Sequence, residues 1–294
     1  MNYYHGENKQ SSFFEGWYFK QQTEKQTIAI ISSVHYTKHG NQYAMIQVIT
    51  NTHSYQIRYD YSEFEAMKNK LHIRIGGNLF CQSGVLLKIK TTQLELHGKV
   101  YFDDFTPPKY DIMGPFAHVP FLECHHGIIS MQHRLTGKLY LNGEEISFAN
   151  GTGYIETDWG RSFPKGYTWT QCNRFETDCS VMAAIANIPM FGTSFQGCIA
   201  NVVYQGKEYR FATYLGVKVL KVTENNLILQ QGNYQLVITV LQKASHPLLA
   251  PQYGHMERTI HESASCIARY ELYESRHQIF SLNSNQASYE YVAP

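Results

Sequence analysis

A hydrophobic period of two, recurring along most of the chain between tight-turn residues, restricts the fold more than any other feature of this sequence. In Leu71-His72-Ile73-Arg74-Ile75 apolar and polar side chains alternate, as on a strand with one buried face. Tyr43 to Thr50, Tyr55 to Tyr61, Gln93 to Leu96 and Lys138 to Leu141 follow the same pattern with more interruptions. Near the end, Cys266, Ala268, Tyr270 and Leu272 alternate with Ile267, Arg269 and Glu271. Asn142-Gly143 separates Leu139-Tyr140-Leu141 from Glu144 to Phe148, and an Asn-Gly pair adopts positive φ at little cost, which predicts a two-residue hairpin. Gln205-Gly206 does the same further on, and Glu224-Asn225-Asn226 and Gln231-Gly232-Asn233 punctuate three more strand-like runs. Ser62 to Lys70 suits about two helical turns. Roughly sixteen to twenty short strands follow, more than one barrel of about eight holds. The expectation is an all-β chain of two antiparallel barrels in tandem, residues 1–155 and 156–294, joined in the Gly-rich stretch Gly151 to Lys165. Three Pro-containing stretches read as loops: Thr106 to Lys109, Met113 to Phe116 ahead of the apolar patch Val119-Pro120-Phe121-Leu122, and His246 to Pro251.

Composition agrees and narrows the function. Tyr, Phe and Trp number 22, 16 and 3, and aromatic side chains favour pleated, half-buried surfaces. Lys and Arg total 25 against 24 Asp and Glu, which gives no electrostatic case for nucleic acid. The six Cys form no CxxC pair, so reduced, buried thiols are expected rather than a zinc site or disulfides. The N-terminus lacks a basic segment followed by an apolar run, and no stretch approaches the roughly 18 apolar residues of a membrane-spanning helix. A cytoplasmic protein is expected, with room for transient contact with a membrane surface and no protein partner implied.

Four segments set polar groups among aromatic ones. On a strand, Glu15, Trp17 and Phe19 share one face, and a carboxyl in such company is held towards its neutral form. Glu123 and His125 share a face, with Cys124 and His126 on the other; a metal would need more ligands than this cluster offers, so no metal is expected. Tyr154, Glu156 and Asp158 fall together if their segment is a strand, and paired carboxylates can split their acidities. Tyr167, Trp169, Gln171 and Asn173 make a wall with an apolar and a polar end. Each also has a structural reading, as a core plug, a buried pair, a solvated hairpin end or a satisfied core strand. Nucleotide and hydrolase motifs are absent.

Taken in order, Phe14-Glu15-Gly16-Trp17-Tyr18-Phe19-Lys20, Leu122 to Gly127, Gly153 to Gly160 with Phe163-Pro164, Trp169 to Asn173 and Met256 to Ser263 resemble the tocopherol cyclase-like family. More distantly they resemble carotenoid hydratase, AttH-like and Svf-like proteins. The resemblance implies two tandem lipocalin-like barrels and a cofactor-independent reaction. In that reaction a proton adds to a prenyl double bond, and a phenol oxygen (or water, in a hydratase) traps the cation. It implies Glu156 as the acid, with Asp158 beside it where relatives tend to carry Asn. Trp17, Trp159 and Trp169 would be the aromatic faces, and Glu123, His125 and Gln171 the polar wall. Tyr154, Asn173, Glu15 and Phe19 complete the expected lining around a hydrophobic, isoprenoid-type ligand. The alternative is a lipocalin-type carrier that binds such a ligand without changing it, and a metal-assisted site at Glu123, His125 and His126 is a third reading.

Overall fold

The computed structural model describes residues 2–120, 122–190 and 193–293. Twelve strands make the first sheet: β1 (Phe13–Gln22), β2 (Thr27–Tyr36), β3 (Gln42–Ile49), β4 (Ser54–Asp60), β5 (Phe64–Ala66), β6 (His72–Ile75), β7 (Asn78–Cys81), β8 (Gly84–Lys90), β9 (Glu95–Asp103), β10 (Cys124–Leu141), β11 (Glu144–Ser147) and β12 (Gly151–Gly160). Ten make the second: β13 (Tyr167–Cys172), β14 (Cys179–Met190), β15 (Thr193–Tyr204), β16 (Lys207–Ala212), β17 (Lys218–Val222), β18 (Asn226–Gln231), β19 (Tyr234–Gln242), β20 (His246–Gln252), β21 (His255–Glu274) and β22 (His277–Val292). Every ladder described is antiparallel. The Asn142-Gly143 turn forms as its sequence dictates, with φ of 51° and 88° between the paired Leu141 and Glu144. Gln205-Gly206 closes Tyr204 onto Lys207 in the same way.

The barrels are not closed by hydrogen bonds among the described residues. The first sheet runs β4-β3-β2-β1-β12-β10-β9-β8-β7-β6-β5 and the second β16-β15-β14-β13-β22-β21-β19-β18-β17. Each opens where a short 3-10 turn replaces a hairpin. Tyr61–Glu63 stands between β4 and β5, fixed by a capping box in which Asp60 and Glu63 satisfy each other's backbone N–H groups. Thr213–Leu215, ended by Gly216 in the left-handed region, stands between β16 and β17. The stretch from Ser62 to Lys70 is therefore not two helical turns: it holds the end of that 3-10 turn and then β5. The expected His246 to Pro251 loop is strand β20, paired with β21.

Two compact units result. One comprises Met1–Pro107, Cys124–Phe163 and Leu248–Thr259; the other comprises Pro108–Glu123, Pro164–Pro247 and Ile260–Pro294. A division at residue 155 would cut β12, whose pairing with β1 runs unbroken from Thr152 to Gly160. Of the apolar patch after Met113-Gly114-Pro115-Phe116, Phe121 lies outside the described residues.

Each unit has its own apolar core on one sheet face. In the first, Trp17, Phe19, Ile30, Tyr36, Phe80, Leu87 and Ile155 are sealed from solvent, each contributing about 1.5–3 kcal/mol on burial. In the second, Cys172, Val181, Ala200, Leu236, Tyr270 and Tyr289 do the same. Alternation puts the intervening residues on the other face, which is buried as well but polar: Lys20, Gln22 and Glu156 in the first unit, Gln171, Ser288 and Glu290 in the second.

A buried arginine secures the inserted segment 108–123 within the second unit. Arg210 on β16 donates to the carbonyls of Tyr110 (2.9 Å) and Asp111 (2.9 Å), to the Tyr214 hydroxyl (3.1 Å) and to Glu208 (3.1 Å). Its guanidinium lies 3.6 Å over the Tyr110 ring, and Glu208 accepts the Lys109 N–H. Removing one partner of a buried ion pair leaves the other uncompensated. Arg210→Met is expected to cost about 3 kcal/mol in chemical unfolding and to expose residues 108–118 to limited proteolysis. Unchanged stability and protease resistance would show that these bonds carry no weight.

Candidate functional site

Strand β12 lies between β1 and β10, and its register decides which polar groups meet. Glu156 is opposite Tyr18 on β1 and Ile128 on β10; Asp158 is opposite Gly16 and His126; Trp159 is opposite Glu15 and His125. Directly paired residues share a face, so two separate clusters form on opposite faces of this three-stranded ribbon.

The first cluster occupies the polar face. The Tyr154 hydroxyl donates to Glu156 Oε2, and His126 Nε2 lies 3.4 Å from that same oxygen. His126 Nδ1 lies 2.9 Å from Asp158 Oδ1. The imidazole thus stands between two carboxylates. Glu156 is 4 % exposed and Tyr154 fully enclosed. Burial, reinforced by Glu156, pushes the Tyr154 phenol well above its ordinary value and so fixes it as a donor. Tyr18 meets the Tyr154 ring edge-on at 6.5 Å, and Cys124 Sγ approaches Asp158 to 3.9 Å. His126, Glu156 and Asp158 each bring a ligand-type atom within 4.8 Å of the others.

The second cluster lies on the core face. Glu15, fully enclosed, accepts the His5 backbone N–H (2.7 Å) and lies 2.8 Å from His5 Nδ1. Burial raises its pKa, opposed by those His5 contacts. The His5 ring stacks on Trp159 at 4.1 Å, and His125 stacks on Trp159 at 5.3 Å. Trp17 donates its indole N–H to the Tyr3 carbonyl, 3.0 Å away.

The residues expected in one aromatic pocket are therefore divided. Tyr154, Glu156 and Asp158 share the polar face of the first unit, whereas Glu15, Trp17, Phe19, His125 and Trp159 belong to its core face. Pleat alternation sets Trp17 and Trp159 on the far side of the sheet from Glu156. Aromatic rings on the Glu156 face of this unit include Tyr18 and Tyr154, with Phe14 further along the same face of β1. Trp169, Gln171 and Asn173 stand in the second unit, where Trp169 is paired with Glu290 and Gln171 with Ser288, and where Tyr167 donates to Glu290 at 2.6 Å. Glu123 precedes β10 and belongs to the inserted segment of the second unit, so it does not share a strand with His125. A set of Glu123, His125 and His126 is not what the fold assembles: His125 and His126 point to opposite faces, and the cluster with metal-ligand atoms pairs His126 with Glu156 and Asp158. Sequence reasoning grouped His126 with Glu123 and His125 rather than with Glu156 and Asp158, and it missed His5. Placing His126 needs the β10–β12 register, and placing His5 needs the N-terminal segment to fold back over β1.

Strands β9 to β22 fall almost wholly within residues 93–291, which match the model of the tocopherol cyclase-like family. The chain belongs to the tocopherol cyclase-like family. Strand β1, with Glu15 and Trp17, lies outside the matched residues. Over 118 residues the chain is 30% identical to a protein named probable tocopherol cyclase, chloroplastic, of Oryza sativa subsp. japonica, covering 38% of this chain and 25% of that protein. Over 108 residues it is 29% identical to tocopherol cyclase, chloroplastic, of Zea mays, covering 35% and 23%. The matched stretch thus spans about a quarter of those relatives. Among solved structures it is similar to CghA (TM-score 0.60, 8% identity, 96% of this chain and 88% of that one). It is also similar to a structure assigned to AttH from Nitrosomonas europaea (TM-score 0.55, 11% identity, 96% and 93%). At such identities the likeness is one of fold, a tandem lipocalin-like architecture. No helix among the described residues is long and apolar enough to cross a membrane.

Two buried histidines make stability depend on pH. Burial holds His35 and His133 down to about 3. Below the ordinary value of about 6.5 the unfolded chain takes up protons that these folded rings refuse, so stability falls as pH drops from there towards 3. Each can add up to ~1.4 kcal/mol per pH unit to that slope. The raised Glu15 works in the opposite sense, losing its contribution as pH rises above the ordinary carboxylate range, and offsets part of it. Urea unfolding between pH 4 and 7 is expected to show a shallower slope in His133→Phe than in the parent; equal slopes would contradict a buried neutral His133.

Proposed function

We propose that the chain is a proton-transfer cyclase, acting without a redox cofactor on a prenylated phenol or quinol, with Glu156 as the acid. The observation that carries this reading is the Tyr154–Glu156–His126–Asp158 series on one buried sheet face. A neutral imidazole has one N–H and cannot donate to both carboxylates. With that N–H on Nδ1 facing Asp158, the Nε2 lone pair faces Glu156 as an acceptor, which suits an acid in a water-poor site. Glu156 would give its proton to the less substituted carbon of the prenyl double bond. The phenol oxygen would bond to the tertiary cation, and the phenol proton would return to the carboxylate, so that substrate and product are isomers. Tyr154 orients Glu156, and Asp158 holds the Nδ1 side of His126 so that Nε2 faces the acid. Tyr18 and Tyr154 offer electron-rich rings on that face, worth up to about 2 kcal/mol to a desolvated cation.

Family membership supports the reading, as does the name carried by the plant relatives. The chloroplast in their names is a property of those proteins; for this chain we propose a cytoplasmic or membrane-surface location.

Incubation with a prenylated hydroquinone, followed by mass spectrometry and chromatography, tests the reading. A mass-neutral cyclised product is expected from the parent. Glu156→Gln and His126→Phe are each expected to lower turnover by at least ~100-fold. Asp158→Asn, which can still accept from Nδ1, should stay within about tenfold of the parent. Ligand returned unaltered by the parent protein would identify a carrier instead, and full activity in Glu156→Gln would remove Glu156 as the acid.

A further inference from the structure

On the core face of the first unit, across the sheet from the Glu156 series, two polar side chains stand unsatisfied. Gln21, at the end of β1, is fully enclosed, and neither end of its amide has a hydrogen-bond partner among the described residues. His133, on β10, is 2 % exposed, and its Nε2 is likewise without a partner. A buried, unpaired amide or imidazole costs about 1–3 kcal/mol, and native interiors keep few of them.

The fold places these two groups in one row. Gln21 and His133 are both register partners of Gly153, from opposite sides of β12. A Cβ on Gly153 would come within 2.2 Å of His133 Nε2, so the imidazole lies directly over the glycine with Nε2 as its nearest atom. Strand β10 carries two register shifts in the residues leading to His133, between Ile128 and Ser130 and between Ser130 and His133. Bulges of this kind re-aim side chains at barrel rims and binding sites.

The histidine's tautomer follows from its neighbour. Ser130 gives its one hydroxyl proton to the Gln132 carbonyl, 2.8 Å away, so its oxygen can only accept from His133 Nδ1, 3.2 Å away. Nε2 therefore presents a bare lone pair. Burial keeps the ring neutral, as noted above. Around it stand Phe102 and Phe105, each 4.8 Å from the His133 ring, with Phe19 6.3 Å from Phe102. Phe105 is only partly buried and covers His133 from the loop after β9.

We propose that Gln21 and His133 are the polar end of an internal binding site in the first unit, which takes an apolar, aromatic-type molecule through a single hydroxyl group. The hydroxyl donates to His133 Nε2 and accepts from the Gln21 amide N–H, so each side chain gains a partner. The aromatic rings beside His133 pack against the apolar body, and Phe105 must swing aside to admit it. The site is on the opposite sheet face from Glu156 and does not depend on the cyclase reading.

Calorimetric titration and native mass spectrometry with 4-pentylphenol and pentylbenzene test the site, since the two probes differ by the hydroxyl alone. The parent protein is expected to bind the phenol on the order of tenfold more tightly than the hydrocarbon, the worth of one well-placed buried hydrogen bond. Gln21→Leu and His133→Phe should abolish that preference while melting no lower than the parent, because each replaces an unsatisfied polar group with an apolar one of similar size. Gln21→Met serves if either fails to fold. Glu156→Gln should keep the preference, which separates this site from the proton-transfer series. Equal affinity for both probes, no binding of either, or a high-resolution structure with only an ordered water between Gln21 and His133 would overturn the proposal.

Discussion

Strand β12 meets β1 on one side and β10 on the other, and side chains along all three alternate between two buried faces. That alternation, fixed by backbone hydrogen bonds, governs the chemistry of the first unit. Moving the β10–β12 register by one residue would turn His126 away from Asp158 and Glu156 and bring His125 in its place. Register is strongly specified here because one face must receive Trp17, Phe19 and Ile155 while the other receives Lys20, Tyr154 and Glu156. The apolar core thus sets the geometry of the polar face opposite it.

A buried polar face has to satisfy itself. In the first unit the Tyr154 hydroxyl donates to Glu156 and His126 Nδ1 meets Asp158, and in the second Tyr167 donates to Glu290. Such networks rigidify when complete and are costly when broken. The placement of Asp158 is informative in this respect. Where the family resemblance leads one to expect Asn, an Asp opposite His126 places a carboxylate 2.9 Å from its Nδ1, and the proposed cyclase reading makes this group a three-member relay. Family membership rests on residues 93–291, which include both carboxylates and His126.

The fold was largely legible in the sequence, because period-two patterning and dipeptides such as Asn142-Gly143 act locally. Strand faces were legible for the same reason: Tyr154, Glu156 and Asp158 do share a face, as do Glu15, Trp17 and Phe19. What could not be read was which face of one strand meets which face of another. Trp159 and Asp158 are neighbours in sequence, yet they project to opposite sides of the sheet. A pocket that combined Glu156 with Trp17 and Trp159 was therefore ruled out by the pleat. Closure of the barrels was also beyond reach, since it turns on short 3-10 segments at Tyr61–Glu63 and Thr213–Leu215 that carry no two-residue hairpin signal. His5 gave no sign of its role because its partner Glu15 is ten residues on, across a fold-back of the N-terminal segment.

The His126 imidazole held between Glu156 and Asp158 is the feature most open to direct observation. Nitrogen-15 NMR of histidine-labelled protein reports each ring nitrogen separately. In Glu156→Gln the Nε2 resonance should move and in Asp158→Asn the Nδ1 resonance should move, each with a smaller change at the other nitrogen. A His126 spectrum indifferent to both substitutions would contradict the relay on which the catalytic reading stands.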